Sequence, residues 1–243
     1  MRRDITSWYS NNLGMEMPIV AYGHAGYPLL MFPTAAADYL EYERFQLIDS
    51  ISPQIEGGQV KVFSIDSINR ESWMNDHMDP RHKSIRHQQW NDYVFQEVVP
   101  FIRTHTSQET PIIVCGASFG ALHSMNIFLK RPDLFQGVIA MSGVYDLTEY
   151  TKSYFDDDVY FNSPLHYMAN LTDHSILEKI RESRHIHLLS GRGAYEDPGA
   201  AGRFARLLYD KGIHYELDLW GPEWPHDWNT WRHMLPQYLS SRF

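Results

Sequence analysis

The 243-residue sequence has one cysteine, Cys115, so no intrachain disulfide can form. It has no apolar run near the ~20 residues a membrane helix needs. Its charged start, Met1-Arg2-Arg3-Asp4, leads into no apolar stretch of signal-peptide length. A soluble, cytoplasmic protein with no membrane partner is expected. Basic residues are in the minority, 21 Lys and Arg against 30 Asp and Glu, for a net charge of −9. That balance argues against a polyanionic partner such as nucleic acid. Internal repeats, low-complexity tracts and Pro/Gly/Ser linkers are missing, and one domain over 1–243 is the simplest organisation. Neither G-x-x-x-x-G-K-[ST] nor H-E-x-x-H occurs. Gly191-x-Gly193-x-x-Glu196 resembles a dinucleotide fingerprint but lacks the third glycine and comes late in the chain. His185 with His187, and His82 with His87, want a third ligand and read as ordinary histidines. No cofactor and no metal is therefore expected.

What is present suits a large packed core: 43% of residues are hydrophobic and 14% aromatic, which excludes disorder. Short β-rich runs alternate with helical patterns. Met17–Tyr22 and Pro28–Phe32 flank Gly23 and Gly26 and read as a hairpin. Asp38 and Glu41 form a D-x-x-E pattern that predicts a helix starting near Asp38. Val60–Ile65, Pro111–Cys115, Gly137–Met141, His185–Leu189 and Ile213–Trp220 read as strands. Helical spacing links Trp90 to Ile102, where Pro100 should bend or shorten the helix. Further helices follow at Leu122–Leu129, around Phe204–Leu208 ending at Gly212, and from Trp228 to Leu239. The alternation predicts an α/β fold with a mostly parallel central sheet and helices on both faces. Residues 145–182 interrupt it. They read equally as a lid or cap excursion over an active site and as a long surface connection.

Gly116-Ala117-Ser118-Phe119-Gly120 fits G-x-S-x-G, and its setting gives it weight: a buried-type strand ends just before it and a helix begins just after. A serine becomes a nucleophile only when a base takes its proton and something holds the oxyanion. A sharp strand-to-helix turn lifts the hydroxyl into a cleft, glycines leave room for neighbouring backbone, and the Phe119 N–H is placed to hold the oxyanion. The alternative is a serine that merely caps a helix.

A partner base belongs on the loop after the last strand, which selects His226 from the 13 histidines. A histidine at a helix start without chemistry is the alternative. The acid belongs on the loop Ser190–Pro198, where Glu196 and Asp197 compete. Asp197 precedes Pro198 and is a natural helix N-cap, which leaves Glu196 free to orient an imidazole. Glu196 is therefore preferred, with Asp197 as the alternative acid. The second oxyanion amide belongs on Pro33–Ala37. Ala35 is the choice, Thr34 and Ala36 stay close behind, and an ordinary small-residue turn is the alternative.

These residues resemble the putative-esterase family of the α/β-hydrolase superfamily, related to S-formylglutathione hydrolase, feruloyl esterases and mycolyltransferases. The resemblance spans nearly the whole chain. It rests on Phe32-Pro33-Thr34, Glu71-Ser72-Trp73, Glu97-Val98-Val99-Pro100, Gly116–Gly120, Gly193-Ala194-Tyr195-Glu196, and His226-Asp227-Trp228 with Trp231-Arg232. It implies an α/β-hydrolase fold, a Ser-His-carboxylate triad on Ser118 and His226, an oxyanion loop at Thr34-Ala35, and a small-molecule ester or thioester substrate. Family members often carry Asp in a Gly-x-x-Asp loop, whereas the loop here is longer and offers Glu196 and Asp197. Substrate preference does not follow from it.

Trp220, Trp224, Trp228 and Trp231 surround His226, and packing of the last helix explains them better than an acyl pocket does. Arg70, Arg81, Lys83 and Arg86 read as a solvated helix face rather than an anion-attracting patch. A serine hydrolase of carboxylic esters is the leading function. An acyltransferase with an alcohol acceptor and a non-catalytic binding protein on the same scaffold are the alternatives. Homo-oligomerisation is left open.

Overall fold

The computed structural model describes residues 1–106 and 110–242. Its strands are β1 (Arg3–Ser10), β2 (Met15–Tyr22), β3 (Tyr27–Phe32), β4 (Val60–Ile65), β5 (Ile112–Ala117), β6 (Phe135–Met141), β7 (His185–Ser190) and β8 (Glu216–Leu219). They form one sheet in the order β1-β2-β4-β3-β5-β6-β7-β8. β1, β2 and β4 pair antiparallel, and every pairing from β4 through β8 is parallel. The sheet is thus mostly parallel, as the alternation of elements predicts.

The helices are α1 (Glu41–Arg44), α2 (Leu47–Ser50), α3 (Ser52–Glu56), α4 (Pro80–Tyr93), α5 (Val99–His105), α6 (Phe119–Lys130), α7 (Asp157–Asn162), α8 (Pro164–Asn170), α9 (His174–Glu182), α10 (Pro198–Asp210) and α11 (Trp228–Arg242). Two apolar clusters face opposite sides of the sheet. Leu30, Phe32, Val114, Trp90, Met125 and Phe204 lie in one; Met31, Cys115, Ile48, Trp231 and Leu235 lie in the other. Each such side chain contributes about 1.5–3 kcal/mol by leaving water. β5 is buried along its whole length, which is why it reads as an unbroken apolar run. Cys115 is buried within it, between Met31 of β3 and Ile139 of β6. Among the described residues no helix is long and apolar enough to cross a membrane.

Three expectations change. β2 and β3 are not a hairpin: β4 lies between them, antiparallel to β2 and parallel to β3. β3 is apolar on both faces and so belongs in the middle of the sheet with two neighbours. Gly26 has φ +105° because the chain there presses on Gln59 at the entry to β4, where a Cβ would lie 2.4 Å from backbone. Second, no helix is capped by Asp38. Its carboxylate accepts from the Leu40 amide and from Arg44, α1 begins at Glu41, and short helices follow in place of one long helix. Third, β1 was not anticipated. It is an edge strand whose side chains, apart from Trp8, Tyr9 and Ser10, carry little apolar alternation, and Ile5 is exposed.

Pro100 does not shorten the helix, which runs without a break from Pro80 to His105. The path from α4 to α5 widens into a π turn at Val94–Val98, where the Val99 N–H donates to Val94. That turn accommodates the residue that cannot donate. Glu97 within it accepts from Trp8, Ser10 and Asn12, which ties the helix to the edge hairpin. Residues 145–182 fold into a 3₁₀ turn and α7, α8 and α9, with Val159, Met168, Leu177 and Ile180 buried.

Candidate active site

β3 connects toward β4 on one side and β5 toward β6 on the other, so the sheet changes direction between β3 and β5. The crevice beyond the carboxyl ends of two such strands is where open α/β sheets bind ligands. Ser118 sits there, in the turn from β5 into α6, with φ 56° and ψ −122°, a backbone region that side chains rarely occupy. The flanking glycines make that turn sterically feasible. A Cβ on Gly116 would lie 2.3 Å from the Gly120 carbonyl oxygen, and one on Gly120 would lie 2.3 Å from the Phe32 carbonyl oxygen. The second contact also shows how tightly the start of α6 presses on the loop after β3.

The Ser118 hydroxyl makes no capping bond to α6. It lies 2.9 Å from His226 Nε2. His226 is on the loop between β8 and α11, anchored by its own N–H to the Ala194 carbonyl. Its ring meets Trp231 edge to face at 5.2 Å. On the far side, Nδ1 lies 3.4 Å from Glu196 Oε2. A hydroxyl, an imidazole and a carboxylate from three separate loops therefore stand in series.

Glu196 is held on several sides. Ser142 Oγ donates to Oε1 at 2.6 Å, the Gly191 N–H donates to the same oxygen at 3.1 Å, and Ser190 Oγ donates to Oε2 at 3.2 Å. Burial pushes its pKa up, but the hydrogen bonds from His226, Ser142 and Gly191 outweigh burial and hold it below the ordinary glutamate value. Asp197 is turned away. It caps α10 through the Ala200 N–H at 3.1 Å and pairs with Arg203 at the surface.

Phe119 opens α6, and the amides of a helix's first turn have no acceptor within the helix. Ala35 lies on the loop against which that helix start packs. The Thr34 N–H gives to Glu41 Oε2 at 2.8 Å and its hydroxyl to Oε1 at 2.6 Å. The Ala35, Ala36 and Ala37 carbonyls accept from Asn69, Arg70 and Ser67 respectively. Sequence reasoning missed Ser142, Glu41 and Asn69. The partners of Ser142 and Asn69 lie far along the chain, and Glu41, read as part of a helix-capping pattern, instead holds Thr34 seven residues before it.

Two secondary readings resolve as well. Trp231 is buried and donates to Ser142 Oγ at 2.9 Å, while Trp228 stacks on Phe45 at 4.4 Å, so these rings pack α11. Of the basic residues near α4, Arg70 and Arg81 are exposed, as a solvated face requires, whereas Lys83 is buried and Arg86 half-buried. Lys83 is buried with Nζ 3.3 Å from the Trp73 carbonyl, Arg86 donates to the Leu13 carbonyl, and Arg70 donates to Ala36. Lys83, Arg86 and Arg70 each satisfy a carbonyl, which a charge run in the sequence does not reveal. His187 is buried against Glu216 at 3.2 Å, and burial lowers its pKa to about 4. Among the described residues no group of three or more His, Cys, Asp or Glu is placed to hold a metal ion.

The sheet order, the crossing helices and a serine raised on the turn after β5 define the α/β-hydrolase class. Within that class the chain belongs to the family described as "Putative esterase", whose model matches residues 42–242. It is accordingly a carboxylic ester hydrolase. No curated protein matches it by sequence. Among solved structures it is similar to a ferulic acid esterase, at 16% identity and TM-score 0.75, covering 98% of this chain and 96% of that one. It is also similar to an S-formylglutathione hydrolase from Agrobacterium tumefaciens, at 12% identity and TM-score 0.73, covering 98% and 93%. A third likeness is to a fluorophosphonate-binding serine hydrolase of Staphylococcus aureus, at 14% identity and TM-score 0.69, covering 98% and 97%.

Proposed function

We propose that this esterase cleaves carboxylic esters or thioesters through an acyl-enzyme on Ser118, with His226 as the base and Glu196 as the acid. The observation that carries this reading is the 2.9 Å approach of Ser118 Oγ to His226 Nε2, made by a hydroxyl that the adjoining helix does not use. His226 Nε2 takes the serine proton as Oγ attacks the carbonyl carbon. The carbonyl oxygen becomes an oxyanion facing the Phe119 and Ala35 amides. The tetrahedral adduct collapses, the bond to the alcohol or thiol breaks, and His226 returns the proton to that leaving group. A water then attacks the acyl-serine with His226 again as base, releasing the acid.

Glu196 suits its part because its hydrogen bonds keep it ionised, so it fixes the imidazole tautomer and stabilises the imidazolium as it forms. Asp197 is already occupied at the head of α10, which removes it as the alternative acid in this reading. Residues 145–182 serve in it as a fixed wall rather than a mobile lid. Tyr150 meets Phe119 edge to face at 4.9 Å, and Val159 packs in one cluster with Trp73 and Phe119. The chain acts as one domain around this site.

Short-chain p-nitrophenyl esters test the proposal. Turnover with a fluorophosphonate adduct on Ser118 is expected. Turnover equal to that of Ser118→Ala, or no adduct in the folded protein, overturns it.

A further inference from the structure

The loop carrying Ala35 is clamped at two points. Glu41 holds the Thr34 N–H and hydroxyl just before it, and Asn69 Nδ2 holds the Ala35 carbonyl at 2.5 Å. The Ala35 carbonyl can only accept, so the Asn69 atom facing it must be the donating nitrogen. Asn69 Oδ1 is then the atom that meets His123 Nε2, at 3.1 Å, and His123 must carry its proton there. Both Asn69 and His123 are buried. Burial lowers the His123 pKa to about 3, so the ring stays neutral and keeps this tautomer.

His123 lies on α6, one turn beyond Phe119, and packs against the Phe119 ring at 5.1 Å. Its own ring is confined by Trp90 at 4.4 Å and by His87 edge-on at 4.9 Å, and Trp73 Nε1 donates to His87 Nδ1 at 3.0 Å. The helix that presents one oxyanion amide thus also carries the group that fixes the loop of the other.

We propose that Asn69, oriented by neutral His123, is a positioning residue that sets the Ala35 amide at a fixed distance from the Phe119 amide, and that the Glu71-Ser72-Trp73 segment serves this site by confining His87 against His123. This rests on the oxyanion role given above to Phe119 and Ala35. Two donors held in register act on the oxyanion only once it has formed, so the effect falls on the transition state rather than on substrate binding.

The test is steady-state kinetics on a p-nitrophenyl ester, with the affinity of a trifluoromethyl ketone analogue of the tetrahedral adduct measured in parallel. Asn69→Ala and His123→Met, which fills the space without a donor, are expected to lower kcat about tenfold to a hundredfold with KM little changed; losing an oxyanion donor outright costs more than that. The ketone should weaken by the same factor. His123→Gln, which can still donate to Asn69, should recover most of the loss. If Asn69→Ala does not fold, the His123→Met and His123→Gln pair decides. Equal kcat in those two, or a loss that appears only as a higher KM, overturns the proposal. Wild-type protein that fails to label at Ser118 sinks the parent reading instead, whereas a labelled, active wild type with unchanged Asn69 and His123 variants sinks this inference alone.

Discussion

Two loops flank the Ser118 hydroxyl, each governed by a buried glutamate, and the two carboxylates answer burial in opposite directions. On the Thr34–Ala37 side, Glu41 receives only the amide and hydroxyl of Thr34, and burial leaves its pKa raised. On the Gly191–Asp197 side, Glu196 is buried too, yet His226, Ser142 and Gly191 outweigh that burial and its pKa is lowered. The difference lies in the donors, above all in one donor that can itself become a cation. A carboxylate that clamps a loop can tolerate being poorly stabilised as an ion; one proposed to steady a developing imidazolium cannot.

The comparison can be broken or sharpened in steps. Ser118→Ala removes the group both loops serve, and kcat for a p-nitrophenyl ester should fall by about 10⁴-fold or more, as when a serine nucleophile is lost elsewhere. A smaller loss would mean that neither loop is organised around it. Glu196→Gln should cost about 10²- to 10⁴-fold in kcat while leaving a folded protein, since the imidazole loses its anionic partner.

Stability against pH separates the two glutamates. The lowered pKa of Glu196 means that its stabilisation is present above the ordinary glutamate range and is lost as pH falls through the depressed native value. Urea unfolding should therefore show Glu196→Gln weaker than wild type at neutral pH, with the gap closing in acid. Glu41 has the reverse sign: its raised pKa lets stability drain away as pH rises through the native value. Glu41→Gln should gain on wild type from acid toward neutral pH, with kcat reduced tenfold at most. Curves that move the same way for both variants would abolish the contrast. The smallest effect belongs to Asp197→Ala. Losing the α10 cap should cost about 1 kcal/mol, a Tm drop of about 2–4 °C, with kcat within twofold of wild type.

Ser118 was legible because everything that marks it is local: a fully buried strand, two glycines and a helix start within a few residues. Asp197 was assigned to the helix by Pro198 at the first helical position, and the side chain of Glu196 does turn to His226. Ser142, Glu41 and Asn69 were not legible as parts of the site, and Trp231 was legible only as packing for the last helix. Trp231 and Ser142 meet only after the chain has crossed the sheet, and a serine at the end of β6 looks like any strand end. The hairpin failed for a related reason. Gly23 and Gly26 signal a reversal of the chain, but nothing local reveals that β4 slots between the strands they join. β1 escaped because only Trp8 and Ser10, near its end, reach the core, and the exposed remainder offers no alternation to read.

The lone thiol of Cys115 is walled into the central strand three residues before Ser118, and burial pushes its pKa far up. Iodoacetamide can reach it only when the sheet face it shares with Ile48 of α2 and with Trp231 and Leu235 of α11 is uncovered. Alkylation in native buffer would therefore clock that opening without an added label, and it would do so equally well in variants that no longer turn over substrate.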